Sequence, residues 1–378
     1  MHNEKNNSRK RGFFGSLVVG ILSLLSLIGI FAMTLSMLNP YIDPQHFVWT
    51  SYFGLAFWEI FIFNLLVFFA LLMMRSRSVW ITILTLVISI PGFSKSFPFG
   101  KKLSDEGDFR VMTYNVHNFK HLDGTTSSED FAQAIIEKVK EQNPDVLCCQ
   151  EFSSFQKGVN RPKCIEIFAK QAGFPTVYYN LRRNYGGNVV FSKYPLEKVD
   201  EESGFGKENT YGTMVAVNAG AKGKLYVANL HLVSYCITDD EIDVLLESAK
   251  SQDSLEDIGK TIFHKLKFAF QRRSAELKEI LETLPKVDGP IIMCGDFNDA
   301  PLSFTYRQMQ KAGFTDSFIK VGQGIKPTYC GRLPLLRIDY VWGNDDIIPL
   351  KYKRLRFKAS DHYPIILDFN VNNLATGN

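Results

Sequence analysis

The sequence predicts an α/β protein, two packed β-sheets with helices outside, behind a block of membrane-spanning helices. Three observations predict it. Residues 13 to 93 hold long uncharged apolar runs, whereas the later part alternates short apolar stretches with amphipathic helical patterns. Five of those stretches end in polar groups: Asn115, Gln150-Glu151, Asn229-Leu230-His231, Asp296-Phe297-Asn298 and Asp361-His362. Finally, 378 residues are too many for one compact domain of ordinary size.

Phe13 to Leu38 is an uncharged run of 26 residues, and Val48 to Met74 is broken only by Glu59 and Asn64. Each exceeds the roughly 20 residues that cross a bilayer. A third run, Val79 to Phe93, is shorter and extends to about residue 97 if Lys95 reaches back to the interface. The first run is too long for the apolar stretch of a signal peptide, and a second span follows at once. Lys5, Arg9, Lys10 and Arg11 precede span one, Asn39 to Phe47 has no Lys or Arg, and Arg75 and Arg77 follow span two. Basic residues stay inside, so the N-terminus and the 75–78 turn are expected in the cytoplasm. Three spans then put the domain after residue 100 outside the cytoplasmic membrane, and two spans would leave it inside. Three is the expectation, with Lys101, Lys102 and several unpaired Cys counting against it. Glu59 and Asn64 read as helix-packing or near-interface residues, not as a transport path.

The expected division is therefore an anchor over 1–99 with spans near 13–38, 48–74 and 79–97, a linker over 100–108, and a domain over 109–372. In that domain Phe109–Asn115 reads as a strand. Asp130–Gln142 reads as a helix, from Phe131, Ala134, Ile135 and Val139 at helical spacing. Asn143-Pro144-Asp145 stops it, and Val146–Gln150 is an apolar strand. Lys163–Gln171 is helical and closes at Gly173. Strands follow at Thr176–Tyr179, Asn188–Ser192, Thr213–Asn218 and Lys224–Leu232. Asp239–Lys286 is mostly helical, acidic at first and amphipathic over Leu266–Leu284. The last strands are Pro290–Cys294, Arg337–Trp342, Tyr352–Phe357 and Ile365–Phe369. Two sheets that bury one face on each other and cover the second with helix satisfy this pattern. Their strand ends would host the polar residues on rigidly held loops.

Residues 1 to 100 carry seven basic and three acidic residues, so the rest holds 36 of each and no net charge. That balance lacks the basic excess of non-specific nucleic-acid binding. No Cys-x-x-Cys occurs, which argues against a zinc site or a disulfide framework. Adjacent Cys148 and Cys149 are expected on opposite faces of one strand.

Glu151 at a strand end can bind Mg²⁺, which takes oxygen ligands. Asp296 and Asn298, two apart, can share a side, one orienting or deprotonating water and the other touching a phosphoryl oxygen. His362 can donate to phosphate or activate water, and Asp361 can orient a partner or touch metal. His231 can stabilise phosphate charge. Asp339 interrupts an apolar strand and needs a partner, for which a histidine is natural. Asn115 can bind metal or phosphate, and Asn188 is a possible substrate contact.

In order, Tyr-Asn-Val, Gln-Glu, Asn-Leu-His-Leu, Gly-Asp-Phe-Asn-Asp-Ala-Pro, Ile-Asp-Tyr and Ser-Asp-His-Tyr-Pro resemble the endonuclease/exonuclease/phosphatase superfamily over about residues 109 to 370. The resemblance implies a four-layered α/β sandwich and Mg²⁺- or Mn²⁺-dependent phosphoester hydrolysis without a covalent intermediate. It implies Glu151 as principal metal ligand with Asn115 and Asp361 nearby, and Asp296 as the group that activates water. Asn298, His231 and His362 would contact phosphate, and Asp339 would orient a histidine. The implied partners are a lipid bilayer and a phosphorylated substrate: a lipid head group, a small metabolite or nucleic acid. No obligate protein partner is inferred. The acidic stretch at 239–257 departs from the family and disfavours a polyanion. A non-catalytic binding module of the same fold is the alternative of a different class.

Overall fold

The computed structural model describes residues 12–120, 128–181, 186–199, 212–235, 237, 252–331 and 335–372. Four N-terminal helices come first: α1 (Phe13–Leu38), α2 (Trp49–Leu55), α3 (Phe57–Met73) and α4 (Val79–Ser96). The run Phe13–Tyr41 and α4 are each long and apolar enough to cross a membrane, and α2 with α3 makes a third candidate if the bent pair is one span. Small residues bring the helices together. A Cβ at Gly29 would sit 2.2 Å from Oδ1 of Asn64, and the Asn64 amide donates to the Ile60 carbonyl at 2.8 Å. Asn64 is thus a packing residue of the kind membrane helices use. Glu59 is exposed in the first turn of α3, where the helix dipole favours an acid.

The second apolar run does not form one straight helix. It breaks at Ala56, where α2 and α3 meet at 68°. The cause is packing that hydropathy does not register. Gly54 is pressed so close that a Cβ there would lie 2.9 Å from the Leu302 carbonyl oxygen. Tyr52 stacks on Phe263 at 4.7 Å and donates its hydroxyl to the Phe263 carbonyl at 2.8 Å. α2 therefore packs on the following domain at an angle to α3, and the two remain one candidate span only as a bent pair.

That domain has two sheets of six strands. One runs β11 (Ile347–Arg354), β12 (Ile365–Val371), β1 (Phe109–Asn115), β2 (Val146–Phe152), β4 (Gly187–Ser192), β3 (Thr176–Asn180). The other runs β5 (Leu196–Lys198), β6 (Gly212–Asn218), β7 (Lys224–His231), β8 (Ile291–Asp296), β10 (Asp339–Gly343), β9 (Thr315–Asp316). The central pairs β1/β2 and β7/β8 are parallel and the remaining pairs antiparallel. Parallel neighbours end at the same rim, so four strand ends deliver side chains to one place.

The inner faces meet in a core that includes Val111, Val146, Cys148, Val190, Val227, Ile292 and Val341. Helices α5 (Ser128–Gln142) and α6 (Arg161–Ala172) cover the first sheet through Ile135, Val139, Ile165 and Phe168. Helices α7 (Gln252–Thr283) and α8 (Phe304–Lys311) cover the second through Leu277, Ile280, Tyr306 and Met309. A short helix, α9 (Ser317–Val321), follows. The result is the four-layered α/β sandwich. Cys148 faces the inter-sheet core and Cys149 the outer layer, as strand alternation requires. α6 is capped by Asn160, whose Oδ1 accepts from the Lys163 amide at 3.0 Å, and it ends at Gly173 with φ 85°.

The strand expected at Tyr352–Phe357 starts earlier, at Ile347, because the chain turns at Asn344 and pairs with β12 through a bulge between Pro349 and Lys351. β5 and β9 are too short to show a period. The acidic segment 238–251 lies outside the described residues.

Candidate active site

Strand register builds the site. His231 on β7 pairs with Asp296 on β8, and Asp296 pairs with Asp339 on β10. One row across the second sheet thus carries an imidazole and two carboxylates. The first sheet contributes Asn115 from β1 and Glu151 from β2 at the same rim. Asn115 joins the two sheets: its amide nitrogen lies 3.1 Å from Oε1 of Glu151 and 3.0 Å from Oδ2 of Asp296. The Asn115 oxygen accepts from the His117 backbone amide at 3.0 Å, so this side chain braces the carboxylates.

Several site residues hold unusual backbone. Glu151 and Asn298 have φ of 53° and 51°, the left-handed region that non-glycine residues enter at a cost. Glu151 does so where the β2/β4 register slips between Cys149 and Phe152, which re-aims its side chain. Gly295, with φ 136°, is required for another reason. A Cβ there would lie 1.9 Å from the Leu230 carbonyl oxygen of the neighbouring strand.

Asp296 is 1% exposed. Its Oδ1 accepts from the Asn298 backbone amide at 2.9 Å, and Oδ2 accepts from the Asn115 and Asn298 side chains. Burial pushes its carboxyl up to about 6, against the pull of His362 and with the help of Asp339. The second Asn298 donor contact is the Leu232 carbonyl at 2.9 Å, so this amide nitrogen locks the loop and the acid together.

Asp339 faces His362. Its Oδ2 meets Nδ1 of His362 at 2.8 Å, which leaves Nε2 aimed toward Oδ2 of Asp296 at 3.6 Å. Burial alone would make the imidazole release its proton. Asp339, Asp296 and Asp361 outweigh that and hold its pKa well above the ordinary value. His231 presents Nε2 between Glu151 Oε1 at 3.6 Å and Asp296 Oδ2 at 3.8 Å, and that nitrogen is buried with no hydrogen-bond partner. Asp361 stands at the mouth, its Oδ1 3.2 Å from Nδ1 of His117. Asn188 sits deeper, 7% exposed, its amide 3.5 Å from the Asn229 carbonyl.

Structure also brings in residues that sequence reasoning missed. Asn118 donates to Oε2 of Glu151 at 2.8 Å, and His117 lies 3.9 Å from the same oxygen. Both follow β1 directly in the string Tyr-Asn-Val-His-Asn, the one signal that could have flagged them. Arg273, fully buried on α7, places Nε 3.6 Å from Asp299 and donates to the Val233 carbonyl at 3.1 Å. Under the site, Gln150 donates to Oδ1 of Asn229 at 2.6 Å, and Asn229 donates to the carbonyls of Cys149 and Val189.

Two groups could hold a cation. Ligand atoms of Asp296, Asp339 and His362 lie within 4.8 Å of one another, but Nδ1 of His362 is already taken by Asp339. Glu151, Asp296 and Asp361 offer carboxylate oxygens alone, the ligand type a hard divalent ion takes, but among the described residues their oxygens do not gather as closely as that triad.

The family model described as "Endonuclease/Exonuclease/phosphatase family" matches residues 112–362, and a domain of unknown function matches residues 18–96. No curated protein matches the chain. Among solved structures it is similar to an endonuclease/exonuclease/phosphatase from Beutenbergia cavernae DSM 12333, at 18% identity and TM-score 0.49, over 71% of this chain and 72% of that one. It is also similar to the human Nocturnin catalytic domain with bound sulfate, at 16% identity and TM-score 0.47, over 70% and 94%. A third is D. rerio TDP2 complexed with single-strand DNA product, at 16% identity and TM-score 0.45, over 70% and 99%.

Proposed function

The chain belongs to the endonuclease/exonuclease/phosphatase family, and from that premise we propose that it is a membrane-tethered, Mg²⁺- or Mn²⁺-dependent hydrolase of phosphoric esters. The convergence of Glu151 and Asp296 on one Asn115 amide supports this reading most directly. It puts two carboxylates from different sheets beside two histidines, the donor set that a divalent ion and a phosphate need together. Glu151 is the principal ligand in this reading, with Asp361 and Asp296 close by. The ion, when bound, polarises a phosphoryl oxygen and offsets charge that develops there.

The remaining chemistry belongs to the chain. Asp296 accepts a proton from the attacking water. Asn115 and Asn298 hold its oxygens in place. His362, kept protonated by Asp339, donates through Nε2 to a phosphoryl oxygen, and His231 offers a second donor. Water attacks in line with the leaving alcohol, and no side chain is acylated or phosphorylated.

The anchor extends over residues 1–99 in this proposal, with the catalytic domain over 109–372 outside the cytoplasm. A C-terminal alkaline-phosphatase fusion checks the topology, and lack of its activity would put the domain inside. The catalytic test uses bis(p-nitrophenyl) phosphate with Mg²⁺, Mn²⁺ or EDTA. Turnover with either metal and its loss in EDTA are expected, with Glu151→Gln slower and needing more metal for half-maximal activity. Absence of turnover with both metals would favour the non-catalytic module. Plasmid DNA and RNA belong in the same panel, because hydrolysis of these alone would favour a nuclease.

A further inference from the structure

The two residues that follow His231 have all their backbone polar groups taken. Leu232 donates its amide to the Asp296 carbonyl at 3.0 Å and accepts from the Asn298 side chain at 2.9 Å. Val233 donates its amide to Oε2 of Glu276 at 2.9 Å and accepts from Nη1 of Arg273 at 3.1 Å. The first two bonds come from the end of β8 and the loop after it. The last two come from α7, where Arg273 and Glu276 lie three apart and so share a face. The tip of His231 is not held in this way. Its Nε2 stands 3.6 Å from Glu151 and 3.8 Å from Asp296 and makes no hydrogen bond among the described residues. The imidazole is therefore placed from behind, through residues 232 and 233.

Arg273 and Glu276 are both buried, and burial penalises a charge that is not answered. Asp299 at 3.6 Å and the Tyr235 ring at 4.1 Å answer the guanidinium, and Arg272 meets Glu276 at 3.1 Å. Apolar side chains would pack at such positions with less penalty, but they could not grip an amide and a carbonyl. The charges thus tie two loops to one helix: Val233 and Tyr235 follow β7, and Asp299 follows β8. The adjacent face of α7 is braced as well. Ser274 and Lys278 hold Asp43, and Gln271 donates to the Pro44 carbonyl at 3.2 Å.

We propose that Arg273 and Glu276 are positioning residues of the reaction. From α7 they hold Val233 by both backbone groups and so keep the His231 imidazole where it meets the phosphate. The inference rests on the hydrolase reading above, and neither side chain touches substrate. Without the grip the backbone behind His231 shifts, and a displacement of about 1 Å at a catalytic group costs on the order of 10²-fold in rate.

The experiment uses the full chain in detergent micelles with bis(p-nitrophenyl) phosphate and Mn²⁺, well below the melting midpoint of every variant. Glu276→Leu removes the acceptor for the Val233 amide, and Glu276→Gln keeps one. Glu276→Leu is expected to lower kcat about 10²-fold with KM little changed, and Glu276→Gln to recover most of that loss. On a His231→Ala background the loss from Glu276→Leu should shrink to within about threefold, because the grip acts through an imidazole that is gone. Arg273→Lys repeats the cycle from the carbonyl side, with a smaller loss, and does not depend on Glu276→Leu folding. Hydrogen exchange of the 231–235 amides, read by mass spectrometry, should quicken in Glu276→Leu and not in Glu276→Gln. Additive losses in both double variants overturn the inference and leave the hydrolase reading standing. So does a loss that Glu276→Gln shares in full, or exchange in Glu276→Leu as slow as in wild type. A wild type idle on the ester, with metal present, would remove the hydrolase reading, and the positioning role with it.

Discussion

The side-chain amide of Asn39 donates to the carbonyl of Leu302 at 2.6 Å, and Leu302 lies four residues beyond Asn298 on the loop that leaves β8. The N-terminal helices are therefore built into the α/β domain. Ser51 donates to the Asn39 oxygen at 3.1 Å, so both ends of that amide are used. Asn39→Ala leaves a buried carbonyl and a buried hydroxyl without partners. The expected cost is roughly 1–3 kcal/mol, read as a lower melting midpoint of the solubilised full chain. Slower turnover of a soluble ester should accompany it, because the loop carries Asn298. A variant with unchanged midpoint and rate would show that the loop stands without the N-terminal helices.

Asp43 fixes the same interface from the loop between α1 and α2. It accepts from Ser274 at 2.8 Å and pairs with Lys278. Burial works against its charge, but the Lys278, Gln45 and Ser274 contacts prevail and hold its carboxyl below the ordinary 3.8. A depressed carboxylate contributes stability above its unfolded value and loses it as pH falls through the folded one. Asp43→Asn should therefore melt earlier than wild type at pH 7. The gap should narrow as pH drops below 3.8, and a gap that stays constant with pH would rule out this charge as its source.

Asp296 and His362 give the metal-free protein the opposite slope. Both groups hold protons more tightly when folded. Stability from Asp296 is present below 3.8 and lost as pH rises through about 6. That from His362 is present below 6.5 and lost as pH rises through its elevated value. With metal stripped by EDTA, the melting midpoint should fall from pH 5 to pH 9, and His362→Gln should flatten the part above 6.5. A wild-type midpoint that rises over this range would contradict the buried-site electrostatics.

The polar strand ends were legible because an apolar run that stops at Asn, Glu, Asp or His contrasts with its own pattern. Asn115, Glu151, His231 and Asp296 announce themselves this way, whereas His362 stands out only in the Ser-Asp-His-Tyr-Pro string ahead of β12. The partner of Asp339 was not legible, since the choice between His231 and His362 depends on side-chain direction across an antiparallel pair. Arg273 looks like any cation on an amphipathic helix. Its burial arises only when Asp299 and Tyr235, whose ring lies 4.1 Å below the guanidinium, arrive from distant loops. The break at Ala56 escaped for a similar reason, because the surface that bends α2 comes from Phe263 and Leu302.

The floor of the site depends on a pair whose motif reads as catalytic and whose geometry is structural. Asn229 receives Gln150 and donates to two carbonyls of the opposite sheet, all fully buried. Asn229→Ala strands three polar partners in the core and should cost at least about 3 kcal/mol, measured by chemical denaturation. Asn229→Asp should be no better, because it keeps the shape but trades a donor for a buried charge. Mild effects from both would mean that water replaces the clamp.

The Asp339–His362 pair supports the most discriminating test. Asp339→Asn keeps the size of the side chain and removes the charge that holds the imidazole protonated. If His362 acts as a donor to phosphate, kcat should fall about 10²- to 10⁴-fold at neutral pH, with KM little changed. The remaining activity should recover in part at lower pH, where the imidazole regains its proton without help. His362→Gln should show no such recovery. The double variant should be about as slow as His362→Gln alone, since two residues acting as one donor do not lose activity twice. Additive losses would instead mean that Asp339 works on the site by another route, and equal pH profiles in the two single variants would mean that the proton on His362 is not the group being controlled.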